Sequence, residues 1–262
     1  MPFRDANNGW AAATRRGVVT ALFLVSLWWM GVWFFEPAPF ILPGPERVFV
    51  TLWQQAPSLI YHAGITLTEI VLGLALGTFL GVGTALLMNA IPFARRTIMP
   101  IVVASQALPV FAIAPLLVLW FGLGLGSKIA MATLIIYFPI ASALSDGLTR
   151  ADGSLMDLAR LYNANRLQTL LHFRLPAALP SLASGLRVAA TIAPIGAIVG
   201  EWVGASGGLG YVINQANARM QTDTVFAGLV LLIIMVIALR WAVDFFLNIL
   251  IPWVPDTQSR TH

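Results

Sequence analysis

Few residues in this chain stand in arrangements that do chemistry. None of the 262 residues is a cysteine, which excludes disulfides, thiolate metal sites and thiol catalysis. His62, His172 and His262 are too scattered for a paired metal site, and no His-Glu-x-x-His occurs, so neither a metal nor a cofactor is expected. Gly122-Leu123-Gly124-Leu125-Gly126-Ser127-Lys128 has the residue types of a phosphate-binding loop but the wrong spacing, and no strand precedes it. It is read as a loop between two helices. No Gly-x-Ser-x-Gly nucleophile turn is found. The carboxylates Glu69, Glu201 and Asp244 fall near the ends of apolar stretches, where anchoring and ion pairing are the default. With no catalytic set and no nucleotide site, the chain is not expected to be an enzyme.

The elements that would position any site are membrane helices. The sequence is 58% hydrophobic and 10% charged, with a mean hydropathy of +0.83; soluble chains run at about 45–50% apolar and about 25% charged. An ordinary soluble enzyme is thereby excluded, as is disorder. Six apolar stretches are long enough to cross a bilayer: Gly17–Phe35, Ile65–Met88, Ile98–Phe121, Ile129–Leu144, Leu182–Val203 and Val225–Ile251. The fourth is the shortest. The first ends in Glu36-Pro37-Ala38-Pro39 without a small-x-small cleavage site, so it is read as a retained span rather than a signal peptide.

Basic residues set the expected orientation. With the amino terminus inside, Arg4, Arg15, Arg16, Arg95, Arg96, Arg150, Arg160, Arg166, Arg174 and Arg260 are cytoplasmic. Arg47, Lys128 and Arg219 fall outside, and Arg187 and Arg240 lie within helix ends. This asymmetry predicts a multi-pass protein with both termini cytoplasmic. It also accounts for the net charge of +4 without a nucleic-acid partner. The expected organisation is a cytoplasmic segment 1–16, a transmembrane domain 17–251 containing a cytoplasmic loop 145–181, and a cytoplasmic tail 252–262.

Within the second stretch, Gly73, Gly77 and Gly81 recur every four residues. Such a face lets helix backbones approach closely, either inside one chain or between two chains. The third stretch carries Pro100, Pro109 and Pro115 around Gln106. Prolines free backbone carbonyls, which lipid does not satisfy, so a bent helix beside a passage is one reading and a bent structural helix the other. Gln106, Pro109, Glu201 and Trp202 are the candidates for a solute pathway, with Asn217 as a further polar position.

The longest polar stretch is Ser145–Ser181. Leu155 to Tyr162 has the spacing of a short amphipathic helix, and Asn163-Ala164-Asn165 breaks it, because Asn tolerates the left-handed conformation. Leu167 to Phe173 reads as a second short helix, stopped by Leu175-Pro176. Two short helices with apolar faces under a membrane bundle call for a partner, the other reading being an ordinary loop that lies against its own bundle.

This loop resembles the cytoplasmic signature of the permease subunits of binding-protein-dependent ABC importers: Glu-Ala-Ala, three residues, Gly, nine residues, Ile-x-Leu-Pro. Here Asp157-Leu158-Ala159 is followed by Asn163 at the Gly position and by Phe173-Arg174-Leu175-Pro176, with every spacing kept. Charge, turn capability and apolarity survive the changes. Beyond the loop, Ile41-Leu42-Pro43-Gly44-Pro45, Pro109 to Leu116, Trp120-Phe121-Gly122 and Gly200-Glu201 with Gly208-Leu209-Gly210 are similar to the nitrate, sulfonate and taurine branch. Ala193 to Val203 and Ala216 to Gln221 are most similar to permeases for hydroxymethylpyrimidine, a thiamine precursor.

The resemblance implies an all-α membrane fold of six spans, of the type I importer class, in the bacterial inner membrane. It implies a permease homodimer, two ATPase subunits and an external solute-binding protein as partners, with ATP hydrolysed by the partner. Asp157, Ala159, Arg160, Asn163, Phe173, Leu175 and Pro176 would form the coupling surface, joined by Arg166 and Arg174. The competing class is a secondary transporter or channel without an ATPase; no inverted repeat is seen for it. An intramembrane enzyme lacks a catalytic set.

Overall fold

The computed structural model describes residues 6–150 and 153–253. Arg4, Arg260 and His262, with the tail from residue 254 onward and the loop positions 151–152, lie outside the described residues. Every regular element among the described residues is helical. Among the described residues five helices are long and apolar enough to cross a membrane, or six if the bent pair Phe93–Ala107 and Val110–Phe121 is one span.

The first helix, α1, runs Ala6–Phe35 and so continues into the segment expected to be cytoplasmic. α2 (Pro45–Gln54) starts with proline at its first turn, where the missing N–H has no partner to lose. α3 spans Ala56–Ala90. The third apolar stretch is not one helix: α4 (Pro92–Ala107) and α5 (Val110–Phe121) meet at 103°. Proline at 109 has no N–H to donate and drives Leu108 out of the helical region, and both residues are extended. Pro100 and Pro115 stay inside their helices.

The expected fourth span, Ile129–Leu144, is longer than its hydropathy suggested. α6 covers Leu125–Thr149 and takes in the second half of the glycine-rich string read as a loop, leaving Gly122–Gly124 as the connection, so Lys128 is buried within a helix rather than placed in an external turn. A larger correction concerns Pro176. α7 (Gly153–Leu161) and α8 (Arg166–Gln168) are followed by a π-helical turn, Thr169–Arg174, which leads without a stop into α9, Leu175–Gly204. The N–H of Leu175 reaches the carbonyl of Leu170, five residues back. That shifts the register where the Pro176 ring would otherwise meet the carbonyl four residues before it. α10 (Leu209–Ala218) and α11 (Thr222–Leu250) complete the chain.

Two compact units are present, residues 1–59 with 212–230 and residues 60–211 with 231–262. In the first, the Trp28 ring stacks on Phe226 at 5.4 Å, Thr222 donates to the Phe40 carbonyl at 2.7 Å, and Gln55 donates to Thr224 at 3.1 Å. The second is built on α6 and α9. Small residues let these helices touch backbone to backbone: a Cβ on Gly196 would lie 2.6 Å from Ala132 Cα, and one on Gly185 would lie 2.9 Å from the Pro139 carbonyl oxygen. α3 packs on α6 as well: Gly73 faces Ala132, Gly77 faces Ile136 and Gly81 faces Ile140. Of the two uses open to that glycine face, contact inside the chain is the one found. Asp244 of α11 accepts from Arg187 of α9 at 2.7 Å and from Arg240 at 2.9 Å, so the two intramembrane arginines share one carboxylate. Large apolar side chains such as Phe79, Leu119 and Trp241 cover the outward faces, as lipid contact requires.

Candidate functional site

The polar loop between α6 and α9 is built by local hydrogen bonding. At the end of α7, Asn163 takes a left-handed φ of 51°. Its N–H bonds the Arg160 carbonyl at 3.0 Å, and the Ala164 N–H bonds the Ala159 carbonyl at 3.0 Å. Those two bonds are the 5→2 and 6→1 pair of a Schellman ending, with Asn in the place glycine usually takes. Asn165 then caps the next helix. Its side chain accepts from the Gln168 N–H at 2.8 Å, and the Gln168 side chain accepts from the Asn165 N–H at 2.9 Å. Sequence reading missed this capping box, although the spacing Asn-x-x-Gln before an apolar run signals one.

One side of the loop is tied to the bundle. Ala159 and Leu170 are buried, and Leu170 packs with Ala85, Leu144, Leu148 and Ala178. Arg174 donates to Asn89 at the end of α3 (3.2 Å) and to the Met156 sulfur of α7 (3.5 Å). That geometry removes Arg174 from the surface it was expected to share, because its guanidinium is engaged within its own chain. Phe173, Leu175 and Pro176 are half-buried for the same reason.

The other side is open. Asp157 and Arg160 pair at 2.9 Å with their side chains 74% and 80% exposed. Around them Leu158, Leu161, Tyr162 and Leu167 stand out from the surface. An exposed apolar patch rimmed by charge is the usual form of a protein-contact surface.

Gln106 lies at a cleft of about 440 Å³, with Ser105, Leu108, Val110, Phe138 and Ile192 among its walls. The break at Pro109 opens this cleft by turning α5 away from α4. Trp202 is partly exposed, its ring 6.1 Å from Phe111. Asn217 lies on α10.

The structure does not bring Glu201 to that cleft. It is 1% exposed and sealed into a polar knot, where it accepts from Thr66 Oγ1 at 2.6 Å and from the Gly210 N–H. Thr66 in turn accepts from the Leu209 N–H at 2.8 Å, and His62 Nδ1 accepts from the Gly208 N–H at 3.1 Å. Gly208 has φ +105°, and a Cβ there would overlap the Glu201 carboxylate, so this turn requires glycine twice over. Beside it the buried Glu69 pairs with Lys128 at 3.4 Å. The partners come from α3, α6, α9 and α10, far apart in sequence.

The family described as "Binding-protein-dependent transport system inner membrane component" matches residues 73–255. A probable ABC transporter permease protein of Haemophilus influenzae is 48% identical over 225 residues, covering 86% of this chain and 92% of its own. The formylaminopyrimidine transport permease protein ThiX of Halalkalibacterium halodurans is 38% identical over 216 residues, covering 82% and 86%. Among solved structures, an inward-facing form of the MetNI methionine ABC transporter superposes with a TM-score of 0.65 at 22% identity, covering 74% of this chain and 97% of that one. At that identity the likeness shows the fold.

Proposed function

The chain belongs to the inner-membrane components of binding-protein-dependent transport systems, as the permease subunit of an ABC importer, and from that premise we propose that it carries a thiamine-precursor pyrimidine inward. A carrier working without an ATPase is set aside by that membership. In this reading two copies of the chain line the path and two ATPases sit beneath them. A solute-binding protein delivers the cargo from outside, and both termini face the cytoplasm of a cell whose inner membrane holds the complex. The substrate class rests on the relative named for formylaminopyrimidine. It is a hydroxymethylpyrimidine or a close relation, with sulfonates and nitrate as the classes to compare. Gln106 and the break at Pro109 line the route, and Trp202 flanks it.

The observation that carries the coupling role is the two-sided loop. Its inner side is fastened through Leu170 and Arg174, while Asp157, Arg160 and an apolar patch remain open. A loop fixed to the spans and bare on its outer face can pass ATPase movement into the bundle. Asn163 sets the angle between its two halves. Asn163→Val resists the left-handed turn, so this variant inserts normally yet fails to stimulate ATP hydrolysis or import in proteoliposomes with the ATPase and binding protein. Asn163→Gly keeps both, since glycine meets the same backbone demand. Equal activity of the Val and Gly variants would remove the coupling role. Titrating the binding protein with pyrimidines, sulfonates and nitrate tests the substrate class separately.

A further inference from the structure

We propose that Gln106 sets the specificity of the route, its side-chain amide pairing with the edge of an aminopyrimidine. On that edge an exocyclic amine lies beside a ring nitrogen. The pairing rests on the proposed pyrimidine cargo and accounts for how the route tells it from other solutes. Gln106 is the penultimate residue of α4, just before the break at Leu108–Pro109. It is exposed at the cleft of about 440 Å³, and its amide bonds to no other described residue. A glutamine amide presents an acceptor and a donor side by side. An amine next to a ring nitrogen presents the complementary pair, as adenine does when glutamine reads it.

The rest of the lining narrows the choice of solute. Among the described residues that line the cleft, Ser105 holds the only other polar side chain, and none is charged. The Ser105 hydroxyl already donates to the Val102 carbonyl at 2.7 Å. Arg187, next to Val188 of the lining, is held by Asp244 of α11 at 2.7 Å. A sulfonate or nitrate ion would therefore leave water here for walls that offer no counter-charge, which is costly. A neutral flat ring meets apolar walls at Phe138 and Pro139, the usual composition of a small-molecule site. Position 109 adds an acceptor beside Gln106. Proline has no N–H, so the Ser105 carbonyl lacks its usual helical donor and is free for a hydroxyl or amine on the ring.

The test uses the full transporter in proteoliposomes with its ATPase and solute-binding protein. Two radiolabelled probes are compared: a hydroxymethyl aminopyrimidine, and the same molecule with hydrogen in place of the amine. Each is supplied at a concentration that saturates the binding protein, so that delivery is equal. Wild type should import the aminopyrimidine about 10-fold faster, the value of one well-placed amide pair. Gln106→Met keeps the length of the side chain and loses the amide, so this preference should vanish. A purely structural role would slow both probes together and leave the preference intact. Equal import of the two probes by wild type would overturn the assignment, and that measurement needs no variant. An undiminished preference in Gln106→Met would overturn it equally. Failure of the binding protein to take either pyrimidine is a separate result, read by titration before transport begins, and it removes the pyrimidine cargo together with this role.

Discussion

Gly196→Ala adds a single methyl group where the backbones of α6 and α9 meet. Its Cβ would lie 2.6 Å from Ala132 Cα, 3.0 Å from Ala132 N and 3.2 Å from the Met131 carbonyl oxygen. Non-bonded carbons rest at about 3.5–4.0 Å, so the helices must part by about 1 Å. Those atoms are backbone, and no rotamer change relieves the collision. Overpacking of this kind costs about 1–3 kcal/mol, and a rigid neighbour places it near the upper end. Alanine is the better helix former by about 1 kcal/mol, which leaves a net loss of about 2 kcal/mol. Gly77→Ala is the matched control: its Cβ meets Ile136 at 3.5 Å, an ordinary contact, so the propensity gain stands unopposed. Thermal unfolding of the full-length protein in detergent should separate the two variants. At about 2–4 °C per kcal/mol for a chain of this size, Gly196→Ala melts about 4–8 °C below wild type. Gly77→Ala melts at or slightly above it. If Gly196→Ala melts with Gly77→Ala, the backbone contact is not what holds α6 against α9.

Orientation can be read by placing single cysteines at Ser154 and Ser206 of this naturally cysteine-free chain. They should label from opposite faces of the membrane, with Ser154 protected from an impermeant reagent in intact cells, and labelling of Ser154 from outside would reverse the topology. Asp244→Ala leaves Arg187 and Arg240 without their shared carboxylate inside the spans, so folded yield should fall and the double variant Asp244→Ala, Arg240→Leu should recover part of it. Wild-type yield from the single variant would show that lipid headgroups or water, not Asp244, satisfy the two guanidinium groups.

Some of this protein is local and could be read from the residues alone. Apolar length decides which segments can cross a bilayer, because each helix satisfies its own backbone. The turn at Asn163 is equally local, since the left-handed preference resides in the residue itself. The spacing from Asp157 to Pro176 identified the loop for the same reason. Other features needed partners from elsewhere in the chain. Lys128 marks a loop by its own polarity, and only Glu69, 59 positions earlier, makes it a helix residue. Pro176 ends a helix by its own geometry, yet the π-turn before it lets the helix continue. The face of Gly73, Gly77 and Gly81 announces close packing without saying against what, until Ala132, Ile136 and Ile140 arrive from α6. Glu201 admits two readings from sequence, anchoring near a helix end or lining a solute pathway, and its sealed carboxylate is what decides between them. Thr66, 135 positions away, seals it together with the turn at Gly208–Gly210. Hydropathy and turn preference are sums over neighbours in sequence, and the energy of a buried charge is set by neighbours in space.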